Sequence, residues 1–406
     1  MHKSLTRFIT ESLSRSPLAL PYRMSQQVAD LFPGQFVLET VDYDFDVDRF
    51  VRSGQAIAFP NEGTHSQVYA EWDGETKKVV TRFDTGLLDI LWHGHRIHVM
   101  RVRVEDVHDF SYVVADSWNV AEAFFESVCR FEDNDLDSVL VFSKGRCSRS
   151  PGLRRDIAKA SFDDLVLPEG FVEQLVEHTA SFFDQKEMYE SAGLPWRRGV
   201  LLLGDPGNGK THAIKALLNL IQRPCVVVKD LEDHYRSCEP PVNRLFRVAR
   251  RFPTCVVVME DIDSMVTEYH RTALLNELDG FASNSGMLVI GTANNPEKLD
   301  PALANRPSRF DRKVTFASPG TVERQKFLVN RAPWLADDSA LPEIIESTEG
   351  FSYAYMKELC VSSMVAAMGL EGQARAYAWV DCAVALKKEV TRAKKPAQNG
   401  KRGDDS

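Results

Sequence analysis

Three things are scarce in this 406-residue chain, and each scarcity removes a class of function. No apolar run approaches the ~20 residues that a bilayer-crossing helix needs. The longest, "GVLLLG" and "TCVVVM", have the length of buried strands. The seven cysteines (Cys129, Cys147, Cys225, Cys238, Cys255, Cys360 and Cys382) are scattered, with no CxxC pair and no zinc-ligand spacing. That excludes a disulfide framework and a zinc module, and leaves buried free thiols in a reducing compartment. Positive charge is also short. The 49 Lys and Arg stand against 58 Asp and Glu, a formal net charge of −9. Such a balance argues against a general nucleic-acid coat protein, though it leaves room for a local basic channel. What remains, 44% hydrophobic and 26% charged, is ordinary for a soluble globular protein. The length suffices for roughly two or three domains with a large core.

Patterning divides the chain. The opening stretch, residues 1–33, begins "MHKSLTRFITESLSRSPLALPYRM", which carries Arg and Ser and few acids. An organelle transit peptide and an amphipathic surface helix both fit it, so a soluble cytoplasmic protein is the expectation and organelle targeting the alternative. Residues 34–144 hold short β-rich runs ("QVYAEWD", "KKVVTRFD", "LLDILW", "RIHVMRVRV") and then the helical "NVAEAFFESVCRF", the pattern of an α+β N-terminal domain. Residues 145–160, in "KGRCSRSPGLRRDIAK", are basic and rich in breakers, and read as a linker hinge or as a basic collar for an anion or a neighbouring subunit. Between 161 and 318, apolar strands ("GVLLLG", "PCVVVKDL", "TCVVVMEDID", "GMLVIGTAN", "KVTFA") alternate with helical segments, which predicts a parallel sheet covered on both faces. Residues 319–392 are helical throughout, and 393–406 form a polar tail expected to be disordered.

Two local patterns invite metal readings. "VDYDFDVD" places Asp42, Asp44, Asp46 and Asp48 on one face if it is a strand, but it lacks the glycine and the closing Glu of a calcium loop. A solvated acidic face is the expectation. "WHGHRIH" brings His93, His95 and His98 together, with Gly94 placed as the turn of a hairpin.

The chemistry lies further on. "GDPGNGKT", Gly204, Asp205, Pro206, Gly207, Asn208, Gly209, Lys210 and Thr211, fits G-x-x-x-x-G-K-[ST] directly after a predicted strand and before a predicted helix. Glycines let the backbone wrap a phosphate chain, and consecutive N–H groups with a helix N-terminus then face its negative charge. Lys210 is placed to reach the β- and γ-phosphates, and the Thr211 hydroxyl to ligate magnesium. His212 follows at the helix start. Carboxylates come one β–α unit later at Glu260 and Asp261, a polar group for the attacking water or γ-phosphate at Asn294, and transition-state charge at Arg306, Arg309 and Arg312.

With "MEDID", "GTANNPEKLDPAL", "RPSRFDR" and "GFSYAYMKEL", the stretch from about Ser161 to Ala385 resembles the AAA family of AAA+ ATPases. "EMYESAGLPWRRGVLLLGDPGNGKT" and "LLNELDGFAS" are similar, within that family, to the mitochondrial Rieske-protein translocase and its soluble bacterial relatives. The resemblance implies a P-loop NTPase α/β core with a helical lid, ATP and Mg2+ as cofactors, and a homo-oligomeric ring, hexameric or heptameric. Nucleotide would sit between neighbours, and hydrolysis would drive remodelling of a bound macromolecule. It implies Gly204–Thr211 as the Walker A loop, Glu260–Asp261 as the Walker B acids with Thr211 and Glu260 at the metal, and Asn294 as the sensor. Arg306 and Arg309 would be fingers acting on the neighbour's γ-phosphate, Asp164 and Leu165 the adenine-side segment, and Gly350 and Ser352 the point where lid meets nucleotide.

The chain departs from the family pattern in four respects. One extra residue separates Leu303 from Arg306. The segment after "VVVKDL" reads "EDHYRSCEPP", without the aromatic–aliphatic–glycine signature of threading loops, leaving Tyr235 as the residue able to grip a substrate. No counterpart of the translocase's membrane anchor is expected, since no apolar run here has that length. The two acids also stand in Glu-Asp order, as in the Rieske-type relatives, which lengthens the metal-side arm and shortens the water-side arm by one carbon, ~1.5 Å. Magnesium retains several waters and tolerates that, so an active, slow ATPase is expected. The leading function is a protein remodeller or translocator whose 34–144 domain selects the client. A nucleic-acid remodeller or loader, and a nucleotide-gated defence or scaffold switch with low turnover, are the alternatives.

Overall fold

A computed structural model of the chain describes residues 20–42, 45–60, 67–73, 77–103, 109–133, 139–232, 240–279, 284–304, 306 and 309–393. They fall into two compact units, one mostly from the N-terminal third and one mostly from the remainder.

The first unit is an antiparallel sheet of β1 (Phe36–Thr40), β2 (Ile57–Pro60), β3 (Gln67–Asp73), β4 (Lys78–Trp92), β5 (His95–Arg103) and β6 (Asp109–Ala115). The order is β1-β6-β5-β4-β2, with β3 paired to β4. Three helices accompany it: α1 (Leu20–Leu31), α2 (Val47–Arg52) and α3 (Trp118–Asp133). Strand alternation sends neighbouring side chains to opposite faces. On β5, Ile97 and Val99 join one apolar cluster, with Ala121, Phe124 and Val128 of α3, while Met100 and Val102 join another, with Met24 and Val28 of α1. Helix α1 is therefore part of this core and not a separate leading segment, because its two buried side chains are spaced four apart on one helical face.

The acidic stretch is not a strand face. Asp46 caps α2, its carboxylate accepting the Arg49 N–H at 3.0 Å, and Asp48 pairs with Arg101 at 2.7 Å. An Asp ahead of an apolar turn is a helix-start signal, and the period-two reading overlooked it. The histidine stretch does form a hairpin: His93 (φ 49°) and Gly94 (φ 81°) turn between β4 and β5, the doubly left-handed turn that two-residue hairpins require.

The second unit holds a mostly parallel sheet. Its strands are β7 (Val139–Ser143), β8 (Arg146–Arg149), β9 (Arg197–Leu203), β10 (Cys225–Val228), β11 (Cys255–Met259), β12 (Met287–Ala293) and β13 (Arg312–Thr315), in the order β13-β9-β12-β11-β10-β7-β8. Every pairing from β13 through to β7 is parallel. All side chains of β11 and β12 are buried, which is why these strands are unbroken apolar runs. The helices are α4 (Pro151–Lys159), α5 (Phe171–Thr179), α6 (Lys186–Ser191), α7 (Lys210–Ile221), α8 (Pro241–Ala249), α9 (Ile262–Met265), α10 (Glu268–Asp279) and α11 (Pro301–Ala304).

Residues 145–160, expected as a linker, are instead β8 and α4. Ser150 caps α4, Pro151 opens it and Ile157 is buried. Asn219 of α7 donates to Ala160 O at 3.1 Å. Ser-Pro in the sequence suggests a breaker, but Ser at the cap with Pro at the first position is how a helix begins.

A helical lid completes the unit: α12 (Thr321–Arg331), α13 (Leu341–Ser347), α14 (Tyr353–Ala366) and α15 (Gly372–Ala393). Phe327, Leu335, Ile344, Phe351, Met356, Leu359 and Trp379 make its own core. Ala393, counted with the polar tail, closes α15. Residues 1–19, Asp44, Tyr235 with its loop, Cys238 and the tail from 394 lie outside the described residues. The described cysteines are free, with Cys225, Cys255 and Cys360 buried. Among the described residues no helix is long and apolar enough to cross a membrane.

Candidate functional site

The C-terminal ends of β9, β11 and β12 converge, and the candidate residues gather there. The loop from Gly204 to Gly209 leaves β9 and enters α7. Its shape depends on two glycines. A Cβ at Gly204 (φ 142°) would lie 2.2 Å from Phe316 O, and one at Gly207 (φ 81°) would lie 2.6 Å from Ala354 Cβ on the lid. No other residue fits either position without moving backbone. Asn208 is buried and donates to Phe316 O and Ser318 Oγ, both at 3.3 Å. Its side chain thus holds the loop to the β13 end, and its contribution to the cradle is backbone.

Lys210 is buried. Its ammonium donates to Gly204 O, to Asp205 O at 3.1 Å and to Asn294 Oδ1 at 2.7 Å. Burial holds its pKa below the ordinary lysine value, and Asp261, Asp205, Asp263 and Glu260 offset part of that shift. The next hydroxyl, Thr211 Oγ1, donates to Glu260 Oε1 at 2.5 Å.

The inverted acids therefore face different partners. Glu260 reaches the loop hydroxyl. Asp261 sits in a left-handed turn (φ 51°, ψ 48°) just past β11, a conformation Asp tolerates better than most residues. Its N–H donates to Thr292 Oγ1 at 2.8 Å and its carboxylate accepts the Asn294 amide at 2.6 Å. Asn294 consequently bridges Lys210 and Asp261.

Sequence reasoning gave the third acid no role. Asp263 accepts the N–H groups of Asn294 and Asn295 at 3.4 and 2.9 Å. It pins the end of β12 beside β11, and so fixes Asn294. The signal was present in "MEDID", where the acid follows the pair by two positions.

The adenine-side and lid candidates close the cleft. Asp164 caps the turn begun by Ser161 and lies 3.3 Å from His212 Nε2, which also meets Ser161 O at 3.1 Å. Leu165 Cδ2 lies 3.1 Å from where a Gly209 Cβ would be. Ser352 caps α14, and Ala354 N–H donates to Gly207 O at 3.0 Å. Gly350 turns into that helix at φ 79°, and the lid groups that line the cleft are instead Phe327, Arg331, Tyr353, Ala354 and Lys357. Arg331 lies 3.6 Å above the Phe327 ring centroid. Spacing of i, i+4 on α12 would have flagged that pair. Burial, with Glu323 nearby, pushes the Tyr353 phenol up to about 12. The cleft encloses about 610 Å³, inside the usual size for a small-molecule site.

The arginines lie elsewhere. Neither Arg306 nor Arg309 lines this cleft, and both pair with Asp279 at the end of α10. Arg312 begins β13 and is exposed.

This donor set fits a magnesium–triphosphate. A glycine-shaped loop, a buried ammonium and a hydroxyl–carboxylate pair of oxygen donors converge there, and oxygen is what a hard cation takes. Thr211 and Glu260 would hold the ion, which supplies charge neutralisation at the phosphates.

Residues 200–318 match the family described as ATPase family associated with various cellular activities (AAA). The chain is 30% identical over 256 residues to the cell division cycle protein 48 homolog of Archaeoglobus fulgidus, covering 59% of this chain and 33% of that protein. It is 31% identical over 300 residues to the 26S proteasome regulatory subunit 4 homolog of Oryza sativa subsp. japonica, covering 65% and 66% respectively. It is 33% identical over 244 residues to the ATP-dependent zinc metalloprotease FtsH of Acidothermus cellulolyticus, covering 53% and 36%. The chain thus spans from about a third to about two thirds of the length of these curated relatives. The matched region is similar to an AAA ATPase domain, and the donor set described above fits ATP with Mg2+.

Proposed function

We propose that this AAA ATPase assembles as a closed homo-oligomeric ring and couples ATP turnover to the remodelling or translocation of protein. The observation that carries the reading is the chain of contacts from Lys210 through Asn294 to Asp261, beside Thr211 on Glu260. We read Lys210 as the phosphate-binding group, Thr211 with Glu260 as the metal-side pair and Asp261 as the water-side group; these contacts support that reading, since catalysis of phosphoryl transfer is positioning and charge. Asp261 orients the attacking water, Asn294 holds its geometry, and Glu260 with Thr211 serves the ion. Asp164, Leu165, His212 and the lid around Ser352 enclose the base and sugar side.

Arginine completes the site from the neighbouring protomer. Arg306 and Arg309 stand away from their own cleft, and a guanidinium supplied from outside is worth ~10³–10⁵ in rate. The Glu260–Asp261 order and the "EMYESAGLPWRRG" string support our reading of the chain as similar to the Rieske-type translocase group. The N-terminal unit selects the client. A protein client is also consistent with the likeness to a regulatory subunit of the 26S proteasome.

The test is Asp261→Asn in the full chain. ATP binding should persist while steady-state phosphate release falls by about 10²-fold or more. Unchanged release would remove Asp261 from its role. The same variant, used as a trap in the native host, should retain a protein client. Stimulation of the parent by single-stranded DNA in a salt-dependent way, with none by unfolded protein, would replace this reading with a nucleic-acid remodeller.

A further inference from the structure

At the end of the sheet opposite the phosphate loop, the first residues of β9, β12 and β13 frame a second pocket of about 480 Å³. That volume again suits a small molecule. Arg198 in its wall stands five residues along β9 from Leu203, where the loop begins, a distance of about 16 Å at the rise of a strand. The pocket is therefore separate from the nucleotide cleft. Its buried lining is apolar, from Leu278, Met287 and Val289.

The charge around that apolar floor is unbalanced. Four guanidiniums line the pocket against a single carboxylate, Asp311. Two of the four are committed elsewhere. Arg309 bonds the Asp279 carboxylate through Nε and Nη2 at 2.8 and 2.7 Å, and Arg197 donates to the Leu278 and Asp279 carbonyls. The other two are not. Arg198 Nη1 reaches the Tyr189 hydroxyl only at 3.5 Å, and its Nε is buried with no acceptor among the described residues. Arg312 is exposed, and no hydrogen bond holds its guanidinium among the described residues.

These two side chains share a face of the sheet. Arg312 is paired with Val200 in register, and Arg198 precedes Val200 by two residues on β9, so strand alternation sends both the same way. His178 on α5 registers both charges. Burial first, then Arg312 and Arg198, hold its pKa below the ordinary histidine value, with Glu177 opposing. Asp311 answers only part of this charge, since one of its oxygens already accepts the Gly199 N–H at 3.3 Å. A charged donor left unmet in a buried place is costly, and a guanidinium fork matches the geometry of an oxyanion.

We propose that this pocket is a second ligand site, taking a small organic oxyanion, a carboxylate or a phosphate monoester. Its apolar body would lie on Leu278, Met287 and Val289 and its charge between Arg198 and Arg312. The site assumes neither a ring nor a client, and Arg306 has no part in it.

The experiment titrates the full-length chain by fluorine NMR with three probes of one shape: para-trifluoromethyl-phenylacetate, para-trifluoromethyl-phenyl phosphate and the uncharged para-trifluoromethyl-benzyl alcohol. Each titration is run with and without saturating ADP and Mg2+, which fill the phosphate cleft. With ADP present, at least one anion should bind a single saturable site with a Kd of about 1 mM or tighter. The alcohol should bind about tenfold more weakly or not at all, and the tighter anion tells carboxylate from phosphate. Arg312→Gln, at an exposed position, should weaken anion binding by about tenfold or more with the melting temperature unchanged. Arg198→Gln should do the same, and neither should move the alcohol. The inference is overturned if the alcohol binds as tightly as both anions, or if Arg312→Gln binds them as the parent does. It is equally overturned if anion binding vanishes once ADP fills the cleft. Should Arg198→Gln fail to fold, Arg312→Gln decides alone.

Discussion

Asn294→Ala separates the structural from the catalytic worth of the central contact. Lys210 is 6% exposed and has three acceptors, of which the Asn294 amide oxygen at 2.7 Å is the one lost. A hydrogen bond to a charged group contributes about 1.5–3 kcal/mol. The lower end applies, because the Gly204 and Asp205 carbonyls still hold the ammonium. The second bond, to Asp261, lies at an exposed group and adds little through solvent screening. About 1.5 kcal/mol lowers the melting midpoint of a domain of this size by about 3–6 °C. The catalytic loss is larger, because a preorganised donor aimed at developing charge is worth about 2.7–4 kcal/mol, or ~10²–10³ in kcat. The assay is steady-state phosphate release, with ATP affinity titrated separately by a fluorescent nucleotide. Affinity should fall by no more than about tenfold. A kcat within about threefold of the parent, with the whole loss in affinity, would show that Asn294 binds ground state and transition state alike, and would refute the reasoning.

Further outcomes follow from the same geometry. Gly207→Val should weaken ATP binding by at least about tenfold while the unit stays folded. The left-handed backbone costs it about 1–2 kcal/mol, and its Cβ would strike Ala354, 2.6 Å away on the lid; nucleotide titration reads it. Thr211→Val removes the hydroxyl that meets Glu260 at 2.5 Å. The magnesium concentration for half-maximal turnover should rise by about tenfold or more, with metal-free nucleotide binding unchanged. A magnesium titration at saturating ATP checks it.

The sequence made the residues that gather at the candidate site legible where spacing carries them. The loop from Gly204 to Thr211 could be read because its glycines and lysine act through local backbone geometry, and Asn294 because it ends an unmistakably buried strand. What stayed hidden depended on partners far away in the chain. Asp263 looks like one acid among several until β12 is laid beside β11 and its oxygens meet Asn295 N–H. Asp279 looks like a helix end until Arg306 and Arg309 fold back on it. Phe327 and Arg331 face the cleft because of how the lid lies on the loop, through the Ala354–Gly207 bond, and nothing in α12 names that neighbour. The fold misreadings were local competitions between signals. Ser150-Pro151 starts a helix where its composition suggests a break, and Asp46 is a cap although the period-two acids suggest a strand.

The inverted acids give the sharpest remaining test. Exchanging them, Glu260→Asp with Asp261→Glu, would restore the more common order, and on sequence grounds alone should help. The geometry says the reverse. An Asp at 260 withdraws its carboxylate by ~1.5 Å, one carbon–carbon bond, from a Thr211 contact that now measures 2.5 Å. That breaks the hydrogen bond. A Glu at 261 inherits φ 51° and ψ 48°, which Asp tolerates and Glu does so less readily. Its longer arm also overshoots Asn294, now met at 2.6 Å. The two losses act on different groups, so they should be separable. Glu260→Asp alone should raise the magnesium requirement, and Asp261→Glu alone should lower kcat with that requirement unchanged. The exchanged protein should show both, with kcat down by about tenfold or more. An exchanged protein that hydrolyses ATP as fast as the parent, at the same magnesium dependence, would mean that backbone shifts absorb the difference in arm length. The left-handed turn at Asp261 would then have no part in aiming the acid.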